Sequence, residues 1–282
     1  NWDASSSRLS TGSSMGPMYD GRIGPDVVAP GSGITSTQNG GGYQSMSGTS
    51  MASPVVVGVH ALMLEGWETS YSVPQGTTFD QSPPLPSTLR AALIHTAVDI
   101  VDSDVRSTTH PEIDSDSDPT NGNDGLGRAT ATVGPDFSTG WGLVDALAAT
   151  TLITDVRMEL GVPIPDRILE GTSVQAEEHD YVFTVPQSFV DQGGPLKVTI
   201  SWDDAAAAVQ DPATSPRLIN DLDLVLIAPD GTVVYPWQIG QNILDMSGNP
   251  IPDVAQIPGA QIQVQLPVSP TTTPSAGDDY IP

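Results

Sequence analysis

The 282 residues carry 34 acidic groups against 9 basic ones, a formal net charge of -25, and no cysteine. A chain of that length is long for one compact core and suits two domains. Its charge excludes a phosphate-binding nucleic-acid protein, which needs the opposite sign, and the absent thiols exclude disulfides, thiolate catalysis and Cys-ligated zinc.

Most of the acids are aspartates in loops beside Gly, Asn and Ser, which suits cation binding or a heavily hydrated surface in a salty medium. The longest nearly uninterrupted apolar run, residues 54–64, is shorter than the ~20 residues that span a bilayer. The chain opens at Asn1 with neither an initiator methionine nor a leader pattern, so any targeting signal is expected outside it.

In chain order, "PDVVAPGSGITST" predicts a strand around Val27 and Val28, a turn at Pro30 and Gly31, and a strand at Ile34, and "NGGGY" predicts a flexible turn. Thr49 or Ser50 is then a good N-cap for a helix whose residues Val55, Val56, Val57, Val59, Leu62, Met63 and Leu64 leave no polar face. Such a helix is expected to be buried all round. "PSTLRAALIHTAV" predicts a second helix capped by Ser87 or Thr88, and "WGLVDALAATTL" a short, apolar third. Residues 1–155 therefore read as an α/β domain.

From residue 156 the period changes to two. "PLKVTISWDD" alternates Val198, Ile200 and Trp202 with polar residues, and "DLDLVLIAPDGTVVYPW" alternates Leu222, Leu224 and Leu226 before an Asp230-Gly231 hairpin signal. Half-buried antiparallel strands of this kind predict an all-β sandwich over 156–282, with no evident closing strand at the chain end and no internal repeat.

Four serines fall within residues 45–53, ahead of the apolar helix. A serine hydroxyl becomes a nucleophile only when a base takes its proton and donors stabilise the resulting oxyanion. Ser50 is the best placed, because a Gly-containing loop there meets a helix N-terminus, whose N–H groups and dipole favour negative charge. Gly48 lets a substrate backbone approach closely, and Ala52 and Ser53 keep the helix start narrow. A GxSxG elbow is not formed, since Ala52 stands at the second glycine position.

"GTSMASP" over residues 48–54 resembles the catalytic-serine motif of the subtilases, the subtilisin-like serine peptidases. "DGRIGPDVVAPGSGI" resembles the segment leading to that motif, "LRAALIHTA" the helix after it, and "GWGLVDALAA" the end of the catalytic domain. The resemblance covers the C-terminal half of such a domain. Val55 departs from the family's usual histidine and Gly24 from its usual Lys or Arg, and neither position performs the family's chemistry. The resemblance implies a partial subtilisin-like parallel sheet over 1–155, Ser50 as nucleophile, Gly48 and Thr49 in the substrate and oxyanion loop, protein or peptide substrates, and an extracellular location. Beyond 156, "NDLDL" and "APDGT" resemble a jelly-roll-like β-sandwich that follows some subtilase domains.

A subtilase triad runs Asp, His, Ser along the chain. All four histidines here, His60, His95, His110 and His179, follow Ser50. His60 lies ten residues along the same helix, ~15 Å up its axis and off the Ser50 face. His95 is expected at a helix C-terminus, interacting with the dipole, and His110 and His179 at the surface. The triad Asp and His and the oxyanion asparagine are thus expected upstream of Asn1. Without them the apolar faces around Val27 and Val55 would be exposed, and the chain alone is expected to fold poorly.

No cofactor is expected in the chemistry. "DSDSDPTNGNDG", residues 114–125, fails as an EF-hand because Pro119 stands where glycine is needed and Gly125 where a bidentate Glu is needed. Asp221 and Asp223 share one strand face beside Asn220, an arrangement that structural calcium would neutralise, with Asp203 and Asp204 as further candidates. A reading from a different class is a non-catalytic remnant or binding module that recognises its partner through the acidic β-sandwich.

Overall fold

The computed structural model describes residues 2–3, 8–10, 12–16, 18, 23–71, 83–100, 135–159, 162–173, 177–186, 191, 195–206, 219–220, 222–236 and 261–267. The loop 114–125 and His110 lie outside them.

Short strands β1 (Trp2–Asp3) and β2 (Arg8–Leu9) pair antiparallel, as do β3 (Ile34–Thr37) and β4 (Tyr43–Met46) in the register Ile34 to Met46 and Thr37 to Tyr43. Residues 38–42 turn between β3 and β4 through a bond from Gln38 N to Gly42 O at 3.2 Å, where the sequence places its glycine run. Three helices follow: α1 (Thr49–Ser70), α2 (Pro86–Thr96) and α3 (Ala146–Thr154).

The helices pack on one another through Val59 and Met63 of α1, Ala92 and Leu93 of α2, and Ala149 and Ile153 of α3, all buried. Their crossing is close, since a Cβ on Gly66 of α1 would lie 2.7 Å from the Thr154 methyl of α3. Tyr71 closes the far end of α1: its ring sits 4.1 Å from that of Trp67, and its hydroxyl donates to the Ile153 carbonyl at 3.2 Å.

The helix starts differ from expectation. Thr49 and Ser50 are the first two residues of α1, and Gly48 is its N-cap, because Gly48 N is tied to Gly31 O at 2.8 Å and the chain turns into the helix directly afterwards. α2 begins at Pro86, which needs no amide partner at the first helical position. Residues 141–144 stay out of α3, since their backbone is committed to segments 26–28 and 98, and Asp145 caps the helix by accepting from Ala148 N at 2.9 Å.

The all-round burial expected of α1 is also corrected. Ala52, Val59 and Met63 form its buried stripe, whereas Val57 is 62% and Leu62 50% exposed. One face is packed on α2 and α3, and among the described residues nothing covers the other.

The expected parallel sheet is reduced, among the described residues, to one parallel bridge between Val28 and Leu143, beside an antiparallel bridge between Val98 and Leu143. Three backbone segments therefore converge on Leu143. Two glycines permit this. A Cβ on Gly140 (φ 64°) would lie 2.0 Å from Pro25 O, and one on Gly142 (φ 120°) 2.1 Å from Val98 O. Asp136, buried, orders the approach by accepting from Ser138 N and Thr139 N at 2.7 Å each. Burial raises its carboxyl pKa, and those hydrogen bonds oppose the rise.

After α3 the described elements are strands. β5 (Val156–Glu159) pairs with β6 (Val162–Pro165), β8 (Leu226–Ile227) with β9 (Val233–Val234) around Asp230-Gly231, and β7 (Pro195–Ser201) with β10 (Gln261–Pro267). These are separate two-stranded antiparallel pieces, and a closed sandwich is not formed among the described residues. β10 supplies a partner strand near the chain end that the sequence reading lacked. Leu196 and Val198 of β7 pack on buried Leu226, as the two-residue period predicts.

Candidate active site

The four candidate serines have separate positions. Ser45 is on β4, opposite Thr35, and Ser53 is exposed within α1. Ser47 is structural, because its Oγ accepts from Gly33 N at 2.9 Å. That bond and the adjacent one from Gly48 N to Gly31 O pin the turn to the segment before β3. Ser50 is exposed, and among the described residues its hydroxyl makes no hydrogen bond.

The helix start at Ser50 leaves amides without a helical acceptor. The Gly48 carbonyl accepts from Met51 N at 3.0 Å and Ala52 N at 3.3 Å, and the amides of Thr49 and Ser50 precede the first helical acceptor. Those orphan N–H groups and the aligned dipole of a 22-residue helix put positive potential at the Ser50 side chain. Pro54 adds a local effect. Lacking an N–H, it cannot bond the Ser50 carbonyl four residues back, so one intrahelical hydrogen bond is missing there.

None of the described histidines bonds to Ser50. His60 is partly buried on α1, and burial lowers its pKa. His179 is exposed, pairs with Glu177 at 3.2 Å and stacks on Tyr181. His95 corrects an expectation. It does end α2, but as a neutral group: burial, then Lys197 and Arg167, push it down to about 4. The helix dipole is answered by Lys197 instead, whose Nζ donates to the His95 carbonyl at 3.0 Å.

A model described as the Subtilase family matches residues 2–142, half of the chain. The chain belongs to the subtilase family. Relatives include the C5a peptidase of Streptococcus pyogenes, 44% identical over 68 residues that make up 24% of this chain and 6% of that protein. The PII-type proteinase of Lactococcus lactis subsp. cremoris is 50% identical over 56 residues, 20% of this chain and 3% of that protein. The matched stretches are thus a small part of these much longer relatives.

Asp204 is occupied by protein donors: its carboxylate accepts from Ile219 N at 2.8 Å, Asn220 N at 3.1 Å and Asn220 Nδ2 at 2.7 Å. Slight burial pushes its pKa up, but these bonds pull it below the ordinary carboxylate value. Asp223 is exposed, and Asp221 lies outside the described residues. No group of three or more His, Cys, Asp or Glu suited to a metal occurs among the described residues. No described helix is long and apolar enough to cross a membrane.

The site also rests on residues that pattern reading missed. Ser47 and Gly33 are 14 positions apart, and no local signal links them. Glu170 is a second case: its carboxylate accepts from Leu85 N at 2.9 Å and from the Thr88 hydroxyl, taking the capping place expected of Ser87 or Thr88. With Glu170 at its start and Lys197 at its end, α2 has an acid at its positive pole and a base at its negative pole.

Proposed function

We propose that this chain is the nucleophile-bearing part of a secreted serine endopeptidase acting on proteins or peptides, with Ser50 as the attacking residue. The observation that carries it is the exposed Ser50 hydroxyl, without a hydrogen bond among the described residues, at the start of α1 and held by a pinned turn. Family membership and the names of the relatives support the reaction class.

In this reading Ser50 Oγ attacks the scissile carbonyl, its proton passes to a histidine base and then to the departing amine, and the C–N bond breaks to leave an acyl-enzyme. Amides at the helix start, with Gly48 and Thr49 beside them, receive the oxyanion. A subtilase triad runs Asp, His, Ser along the chain, and every histidine here follows Ser50, so none of the four is assigned as the base. Residues 156–282 act as an accessory β domain. The acidic charge keeps nucleic acid out of the partner list.

The test is hydrolysis of an unfolded protein substrate by the full-length protein. Activity that disappears in Ser50→Ala is the expected result, and undiminished activity in that variant refutes the assignment. The competing reading, a non-catalytic remnant that binds through its acidic downstream half, draws on the net charge of -25; it predicts no hydrolysis but retained binding.

Calcium enters only as a structural ligand at Asp221 and Asp223. Chelation should then lower the melting temperature of the full-length protein, and an unchanged melt removes calcium from the description.

A further inference from the structure

Asn39 and Asn220 both lie among the described residues, and they are held differently. Asn220 is bound on every side. Its Nδ2 and its main-chain N donate to the Asp204 carboxylate at 2.7 and 3.1 Å, and its carbonyl accepts from Trp202 Nε1 at 3.1 Å. Asn39 stands exposed at the tip of the hairpin between β3 and β4, followed by Gly40. Among the described residues, neither its side-chain amide nor the N–H of Gly40 takes part in a hydrogen bond.

The backbone beyond Asn39 puts nothing in the way of its side chain. Gly40, Gly41 and Gly42 follow at φ 89°, 94° and 86°, and a Cβ on Gly40 or Gly41 would meet nothing within 4 Å. The turn is closed by bonds from Gly41 N to Gln38 O, from Gln38 N to Gly42 O and from Gln38 Nε2 to Gly41 O, each at 3.2 Å. That length is the upper end of the ordinary range. Residues 38–42 are all exposed, so these bonds can open without disturbing packed structure.

We propose that Asn39 is a site of self-modification, an intramolecular deamidation through a cyclic imide. The Gly40 nitrogen gives its proton to solvent base and attacks the Asn39 side-chain carbonyl carbon. The bond from that carbon to the amide nitrogen breaks, and the nitrogen leaves as ammonia. Water then opens the imide ring. Attack at the former side-chain carbonyl leaves aspartate, and attack at the main-chain carbonyl leaves an isoaspartyl link. Water is the only co-reactant, and nothing is oxidised or reduced. Asparagine is a thermolabile residue in general; here the attacking nitrogen is also unbonded and belongs to a residue with no Cβ to hinder it. Asn220 lacks both conditions, because its amide is engaged and Asp221, which follows it, carries a side chain.

The isoaspartyl link adds a methylene to the main chain between residues 39 and 40. The closure from Gln38 N to Gly42 O then loses its register, and the pairing of Thr37 with Tyr43 frays first. The other end of the hairpin is pinned by the bonds from Gly33 N to Ser47 Oγ and from Gly48 N to Gly31 O, which confine the change to the tip. None of this depends on Ser50 being a nucleophile.

Incubation of the full-length protein at mildly alkaline pH, followed by peptide mass mapping, tests the site. The peptide bearing Asn39 should convert to two products of equal mass, aspartyl and isoaspartyl, that separate on chromatography. Its rate should rise in proportion to hydroxide, and the Asn220 peptide should stay intact over the same interval. A synthetic peptide of residues 34–46 sets the rate of the unfolded sequence, and the folded hairpin should convert within about tenfold of it. Asn39→Gln, whose longer side chain must close a larger ring, should abolish the conversion. An Asn39 amide that survives in the protein while the peptide converts, aspartate formed without isoaspartate, or Asn220 converting as fast as Asn39 would overturn the proposal.

Discussion

Ser47 and Ser50 are three residues apart and carry opposite tasks. The first spends its hydroxyl on Gly33 N and fixes the turn; the second keeps its hydroxyl exposed at the mouth of the helix. The place of Ser50 at a helix start was legible because such a start has a local signature, a small-residue loop followed by an apolar run. The role of Ser47 was not, since its partner belongs to a segment that only tertiary structure brings near. Gly140 and Gly142 are similar: nothing local announces that another backbone passes within 2.0 and 2.1 Å of where their Cβ atoms would lie. Gly142→Ala must combine a left-handed φ of 120° with that overlap. We predict a loss of about 2–4 kcal/mol, measured by denaturant unfolding, because the obstructing atom is backbone and cannot rotate away. A change under ~0.5 kcal/mol would mean that segments 96–100 and 140–144 are not in contact.

At the scale of elements, periodicity located the helices well and their environment less well. α1 has apolar residues on every side, which predicts complete burial, yet the described residues cover only the stripe through Ala52, Val59 and Met63. Composition records what a helix tolerates around it, whereas burial depends on which neighbours are present. Two substitutions of similar size separate these. Met63→Ala removes a fully buried side chain and should cost about 2–5 kcal/mol. Leu62→Ala removes one that is 50% exposed and should stay within about 0.5 kcal/mol in this chain. Equal losses, measured by thermal unfolding of the two variants, would show that the open face of α1 is covered. α2 teaches the same lesson at its ends. Its own sequence offers Ser87 or Thr88 for its start and His95 for its end, but Glu170 and Lys197, both from beyond residue 156, take those places.

Across the whole molecule, the change from helical to strand periodicity near residue 156 matches the passage from α3, ending at Thr154, to β5, starting at Val156. The alternation in β7 correctly told apolar residues from polar ones but not that Lys197 and Thr199 would join the upstream helices. The partner strand β10 went unread, although "QIQVQLP" alternates with a period of two and follows a Pro258-Gly259 turn signal. The family was legible from "GTSMASP" and its flanking segments, and the family match over residues 2–142 agrees. Among the described residues no histidine bonds to Ser50: His60 is partly buried on α1, His95 meets Thr199 and His179 pairs with Glu177. The most direct test is therefore covalent: treat the full-length protein with a fluorophosphonate and map the adduct by peptide mass. A single adduct on the peptide containing residues 43–64, at Ser50 and absent from Ser50→Ala, is the predicted result. An unlabelled protein, or an adduct on Ser45, Ser47 or Ser53 that survives Ser50→Ala, would contradict it.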